Sequence, residues 1–190
     1  MPLTTLDPSP ALVIIDLQKG IVAMPTAHPM REIVERTAEM VAAFRRRHWP
    51  VVFVHVTGTA PGRTDAGPFK RTLPADWTEL VPELGATADD HVVSKERWGA
   101  FLGTDLDAWL RGRGVTQIFL AGVATSVGVE STARSAYDLG YHVVLVLDAM
   151  TDRDLEAHRH SVEKLFPRLG ETTVTADVLR RVASGSPHVH

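Results

Sequence analysis

An acid, a lysine and a turn are the parts of this chain equipped for chemistry. Asp16 closes the apolar run Val13-Ile14-Ile15, and Lys95 follows Val93-Ser94. The turn lies within Ala121-Gly122-Val123-Ala124-Thr125-Ser126-Val127-Gly128-Val129-Glu130-Ser131-Thr132-Ala133-Arg134. This segment opens like the end of a buried strand and closes like an amphipathic helix, since Val127, Ser131, Thr132 and Ala136 recur at helical spacing. A strand-to-helix turn at the carboxyl edge of a parallel sheet is where open α/β proteins hold ligands. The N–H groups of Ser126 to Val129 fall in a first helical turn, where backbone donors lack intrahelical partners and suit an oxyanion or carboxylate. The same residues have a plain structural reading: a tight connection with Gly128 for packing, Asp16 as a helix cap, and Lys95 as a surface lysine.

The elements that must position these groups alternate along the chain. Ala11 to Ile15 reads as a buried strand. From Met30 to Arg47, Ile33, Val34, Thr37, Met40, Val41 and Phe44 recur at helical spacing, with arginines at the C-terminal end where they suit the dipole. Strands are expected over Val51 to Val56, Asp89 to Val93, Gln117 to Ala121, His142 to Leu147 and Glu171 to Thr175. Helices are expected over Asp105 to Arg113, Ser126 to Leu139, Leu155 to Phe166 (stopped at Pro167) and Ala176 to Val182. Thr57 to Leu84 is a Pro-, Gly- and Thr-rich excursion with Phe69 and Trp77 embedded, and loops of that length are usually functional or disordered. Near-continuous Val/Ile/Leu strands between amphipathic helices imply an α/β domain, a parallel sheet covered on both faces. The chain reads as one domain, 1–190, with 184–190 a frayed polar tail.

Composition excludes several functions. The 190 residues, 44% apolar, suffice for one well-packed domain. A net charge of −3 leaves no basic footprint for nucleic acid and no polybasic membrane patch. No apolar run is long enough to span a bilayer, and no basic segment followed by an apolar stretch opens the chain, so a cytoplasmic protein is expected. Cysteine is absent, which excludes disulfides, thiolate catalysis and thiolate metal sites.

Three blocks resemble the isochorismatase-like hydrolases, the group that includes nicotinamidases and related amide hydrolases. They are Val13-Ile14-Ile15-Asp16-Leu17-Gln18, then Val93-Ser94-Lys95-Glu96-Arg97-Trp98-Gly99-Ala100-Phe101 continuing to Thr104-Asp105-Leu106, and the turn segment quoted above. They run in the family's order from Ala11 to about Asp148. The resemblance implies a Rossmann-like three-layer α/β/α sandwich, its six parallel strands ordered 3-2-1-4-5-6. Asp16, Lys95 and the turn then meet at one edge of the sheet, within ion-pair reach of each other. Asp16-Leu17-Gln18-Lys19-Gly20 is not a G-x-G-x-x-G loop, so the fold does not justify a nucleotide cofactor.

Most members carry a nucleophilic cysteine with an Asp and a Lys. Here Asp16 and Lys95 match, but Gly128 stands at the cysteine's position. True isochorismatases also lack the cysteine and cleave a vinyl ether, a reaction needing proton delivery and water rather than a covalent intermediate. Asp16 as general acid, Lys95 as its electrostatic partner and Gly128 as an open backbone position fit that scheme. A lysine beside a carboxylate favours its anion while burial favours the neutral acid, so Asp16 can serve as acid or base. Ser126 as an alternative nucleophile is disfavoured, because a side chain turns by roughly 100° per helical position.

For a small carboxylated substrate the resemblance points to arginine contacts from Arg63, Arg71 or Arg97, with Arg63 best placed. Ala124, Thr125 and His55 are further candidate contacts, and Trp98 and Phe101 a candidate apolar wall. A cis peptide at Val123–Ala124 and a homo-oligomer are also implied. Nicotinamidase relatives bind a metal through an Asp and histidines, and with only His55 nearby and no Asp-x-His pattern no metal is expected. Lys19 reads as solvated, Glu130 and Arg134 as a helix-surface pair, and His158 and His160 as facing different ways. The competing reading is a family member without catalysis, serving as a binding or assembly module.

Overall fold

β-branched and aliphatic runs become strands, and amphipathic runs become helices, in the order that periodicity predicts. The computed structural model describes residues 3–65, 67 and 73–184. Its elements are β1 (Pro10–Ile15), α1 (Lys19–Val22), α2 (Met30–Arg46), β2 (Val51–Val56), β3 (His91–Lys95), α3 (Leu106–Arg111) and β4 (Gln117–Val123). There follow α4 (Glu130–Asp138), β5 (His142–Thr151), α5 (Leu155–His160), α6 (Phe166–Leu169), β6 (Glu171–Thr173) and α7 (Thr175–Ser184). Wide π turns precede α4 (Thr125–Val129) and follow α5 (Ser161–Leu165), and a 3-10 turn (Pro82–Leu84) closes the long excursion.

The sheet has six strands in the order β3-β2-β1-β4-β5-β6, every neighbouring pair parallel. β1 is buried at all six residues, as a central strand covered on both faces must be. Leu12 and Ile14 point into one core with Phe53 and Phe119, packed against Phe44 of α2 and Val178 of α7. Val13 and Ile15 point into the other with Val54 and Leu120, against Leu110 of α3 and Ala133 of α4. The chain reverses its winding between β1 and β4. There Gly122, at φ +117°, lets the strands close in, since a Cβ would lie 2.0 Å from the Ile15 carbonyl oxygen.

Several boundaries differ from expectation for identifiable reasons. β3 starts and ends later, so Lys95 is its last residue rather than lying beyond it. β5 runs to Thr151 instead of stopping at Leu147. Asp148, just past the expected end, turns its carboxylate to cap α7, accepting from the Thr175 N–H at 2.7 Å and hydroxyl at 2.9 Å. Pro167 does not stop the helical run: it sits in the first turn of α6, where a missing N–H costs nothing. Ser184 ends α7, while the rest of the expected tail, with Phe69 and Arg71, lies outside the described residues. No helix among the described residues is long and apolar enough to cross a membrane.

Candidate active site

β1 ends by turning sharply into the pocket it helps to build. Asp16 takes a left-handed conformation, φ 53°, which aspartate tolerates better than most residues, and its N–H is held by the Val54 carbonyl at 2.9 Å. Lys95 closes β3, two strands away. Its Nζ donates to Asp16 Oδ2 at 2.8 Å and to the Arg97 carbonyl at 3.2 Å, using two of its three protons. Both side chains are buried, and Asp16 Oδ1 has no hydrogen-bond partner. Burial pushes the Asp16 carboxyl up to about 6, against the opposing charge and hydrogen bond of Lys95 and the smaller pull of His55. Desolvation wins over the ion pair.

The turn after β4 supplies the facing wall. The Val123–Ala124 peptide is cis. A Cβ built on Gly128 would lie 3.3 Å from Asp16 Oδ2 and 2.9 Å from Ile15 Cγ2. The position is therefore next to the acid, but not wholly open, because the Ile15 methyl already presses on it. Expected amide donors are partly withdrawn. Ser126 N–H donates to Asp152 Oδ2, and the Val127 and Val129 N–H groups donate to the Ala124 carbonyl. Of the four, Gly128 is the one whose Cβ position faces Asp16.

Asp16, Lys95, Ala124 and Gly128 border one cavity of about 420 Å³. Trp77 and Trp98 line it, as do Arg153 and Arg97, the latter 4.0 Å from the carboxylate of Glu96, which also borders the cavity. Trp98, 67% exposed, stands at the mouth. Gly20 exists for Trp77: a Cβ there would lie 1.8 Å from the indole Cδ1.

Other expected contacts lie elsewhere. Phe101 packs inside the second core beside Tyr141, because its loop folds inward against α4, and it does not reach the cavity. His55 is held by the Thr78 carbonyl and the Ser94 hydroxyl, and acts on Asp16 only through space. Thr125 is fully buried, its hydroxyl on His158 Nδ1 at 2.8 Å rather than facing a substrate. Arg63 is exposed and absent from the cavity lining. Ser126 directs its hydroxyl to Asp152 at 2.8 Å. Lys19 is not merely solvated, since it pairs with Asp76 and Glu79, whereas Glu130 and Arg134 do form the expected pair. Among the described residues no group of three His, Asp or Glu side chains is gathered for a metal.

Two residues named in the sequence reading have work it did not assign, and two more escaped it. Gln18 joins the excursion to β2, donating to the Val56 and Trp77 carbonyls and accepting from the Val56 N–H. His158 is buried against His28, and burial lowers its pKa. Asp152 and Arg153 follow the true end of β5. An acid at a strand's carboxyl end was the signal that picked out Asp16, and it would have found Asp152 had β5 been carried far enough.

Comparison with known proteins supports the same grouping. A family model described as the isochorismatase domain matches residues 10–177. The isochorismatase family protein YwoC of Bacillus subtilis is 42% identical over 179 residues, which cover 90% of this chain and 93% of that protein. A solved isochorismatase family structure from Burkholderia thailandensis superposes with a TM-score of 0.91 at 43% identity, covering 96% of this chain and 99% of its own. The ureidoacrylate amidohydrolase RutB of Variovorax paradoxus is 29% identical over 169 residues, 73% of this chain and 67% of that one.

Proposed function

This chain belongs to the isochorismatase family, and we propose that it is a hydrolase without a covalent nucleophile, using Asp16 as general acid on a small carboxylated vinyl ether. One observation carries the reading. Asp16 has a buried oxygen with no partner, beside a cavity, on a carboxyl raised to about 6. Such a group still holds a proton in a useful fraction of molecules near neutral pH, as a general acid requires.

Asp16 delivers its proton to the terminal carbon of the enol ether. A C–H bond forms as the C=C electron pair is consumed, leaving an oxocarbenium ion. Lys95 stabilises the carboxylate left behind. Water then adds to the cationic carbon and returns a proton to Asp16, and the hemiketal collapses to an alcohol and a ketone. Arg97 and Arg153, at the rim, replace Arg63 as the candidates for holding a substrate carboxylate. On this reading the protein is a cytoplasmic enzyme that self-associates.

Hydrolysis of isochorismate, a simple vinyl ether and small primary amides by wild type and Asp16→Asn tests it. Vinyl-ether cleavage should weaken as pH rises through about 6 and fall by roughly 10²–10⁴ in the variant. Amide hydrolysis that survives Asp16→Asn would overturn the scheme. The Ile15 methyl against Gly128 favours a second reading, a binding or assembly module. Carboxylate binding by a wild type inert on all three substrates would select it.

A further inference from the structure

Asp152 is 4% exposed, yet it is one of the most heavily bonded side chains at the carboxyl edge of the sheet. Its Oδ2 accepts from the Ser126 N–H at 2.7 Å and the Ser126 hydroxyl at 2.8 Å. Its Oδ1 accepts from the N–H groups of Arg153 at 2.7 Å and Asp154 at 3.3 Å. Its own carbonyl takes the Ala27 N–H at 2.7 Å. One residue thus ties together three stretches that line the cavity: Thr26, the turn with Ala124, Val127 and Gly128, and Arg153. Nothing in the sequence blocks singled it out.

We infer that Asp152 is a positioning residue, whose carboxylate holds the turn through Ser126 so that Gly128 stays against Asp16 and keeps bulk solvent from that side of it. The inference rests on the reading of Asp16 as the reacting acid, but its geometry does not depend on the substrate. Ser126 lies two residues before Gly128, and the space a side chain would fill at Gly128 is bounded by Asp16 Oδ2, 3.3 Å from where a Cβ would stand. A turn freed from Asp152 swings outward, and solvent enters the corner whose dryness holds the Asp16 proton. The charges that act on Asp16 are Lys95 from β3 and His55 from β2, and neither belongs to the clamp.

The test reads Asp16 directly. Its carboxylic C=O infrared band, assigned by its loss in Asp16→Asn, is titrated in wild type, Asp152→Asn and Ser126→Ala. In Asp152→Asn the midpoint should fall from about 6 by roughly one pH unit, as desolvation is relieved. Ser126→Ala removes a single bond to Asp152 without changing any charge, so it should shift the midpoint the same way by less. It also carries the test if Asp152→Asn does not fold. A lower melting temperature with unmoved midpoints would make Asp152 a staple of the fold only and overturn the inference. Because the band reports ionisation and not turnover, it can move as stated even if Asp16 proves to have no catalytic role. Turnover of the vinyl ether lost in Asp16→Asn but not in Asp152→Asn, with the midpoint unmoved, would sink the positioning role alone.

Discussion

Asp152 fills its two oxygens with donors from Ser126, Arg153 and Asp154, whereas Asp16 gives one oxygen to Lys95 and leaves the other without a partner. The two are nearly equally buried, at 4% and 6% exposure, and stand at the same edge of the sheet. Burial therefore does not decide what a carboxylate does. The supply of donors does: met by backbone N–H groups, the acid becomes a fastening, and under-supplied beside one cation it becomes a group that gains and loses a proton. If this contrast is right, the two residues respond in opposite ways to removal.

The largest effect is expected at the clamp. Asp152→Ala strips the acceptor from the Ser126 and Arg153 N–H groups and the Ser126 hydroxyl. The two donors of the half-buried Ser126, left unpaired, cost about 1–3 kcal/mol each, and the N–H of the exposed Arg153 less. For a chain of this size each kcal/mol lowers the melting temperature by about 2–4 °C. A fall of roughly 10 °C by calorimetry is the expectation. Asp16→Asn still offers Lys95 an amide oxygen in place of the carboxylate, so its fall should be the smaller, and a comparable loss there would erase the distinction.

pH should separate the two next. The Asp16 carboxyl lies at about 6 in the folded protein against 3.8 ordinarily. Below pH 3.8 it is protonated in both folded and unfolded chains. As pH rises from there, the unfolded chain releases its proton first, so folding loses stability up to about pH 6 and no further. The rise corresponds to about 3 kcal/mol. Urea unfolding from pH 4 to 8 should thus show Asp16→Asn gaining on wild type by that order across the window. Parallel curves would mean that Asp16 is ionised throughout and cannot serve as the acid.

Much of this arrangement was readable in advance, and the failures share a cause. Strand patterning pointed to the parallel α/β sheet, because burial on both faces writes itself as an unbroken apolar run, while the strand order and the acid–lysine corner came from the resemblance of the blocks around Asp16, Lys95 and Gly128. What escaped were polar residues whose work is to bond backbone. The expected strand stopped at Leu147, short of Asp148, which caps α7, and of Asp152 beyond the true end of β5. Gln18 stood inside a recognised block, but its partners at Val56 and Trp77 are distant in sequence. Arg63 was preferred for its place in the long excursion, and loop sequence carries no information on which arginine faces inward. Phe101 followed Trp98 closely enough to suggest one wall, yet the chain turns between them and sends the phenylalanine into the core.

Gly128 offers a smaller test of how tightly the two regions meet. Gly128→Ala places a methyl 2.9 Å from Ile15 Cγ2 and 3.3 Å from Asp16 Oδ2. Overpacking of this kind costs about 1–3 kcal/mol, more than the gain of up to about 1 kcal/mol from replacing glycine in a helical turn. A net loss of about 1 kcal/mol by urea unfolding is expected. Gly128→Cys meets the same Ile15 contact, and pairing it with Ile15→Val should relieve it. A stabilised Gly128→Ala would show that the turn sits farther from Asp16 than the structure places it, and the clamp would then have nothing to hold in register.

The smallest expected effect falls on Arg153, whose N–H the clamp itself holds. Fixed at its backbone and bordering the cavity, Arg153 is the cation that the proposed function assigns to a substrate carboxylate. A charge-assisted hydrogen bond of this kind contributes about 1.5 kcal/mol or more, so Arg153→Gln should raise KM for a carboxylated vinyl ether by roughly tenfold. It should leave kcat nearly unchanged, because the bond exists in ground and transition states alike. A neutral vinyl ether should show no change in KM, since it offers nothing for the guanidinium to hold. Arg63→Gln, made on an exposed residue outside the cavity, should alter neither substrate. KM rising equally for the neutral ether would mean that Arg153 acts by shaping the wall. Sensitivity at Arg63 in place of Arg153 would move the carboxylate contact from the end of β5 to the excursion after β2, and Asp152 would then hold a turn without also aiming the cation.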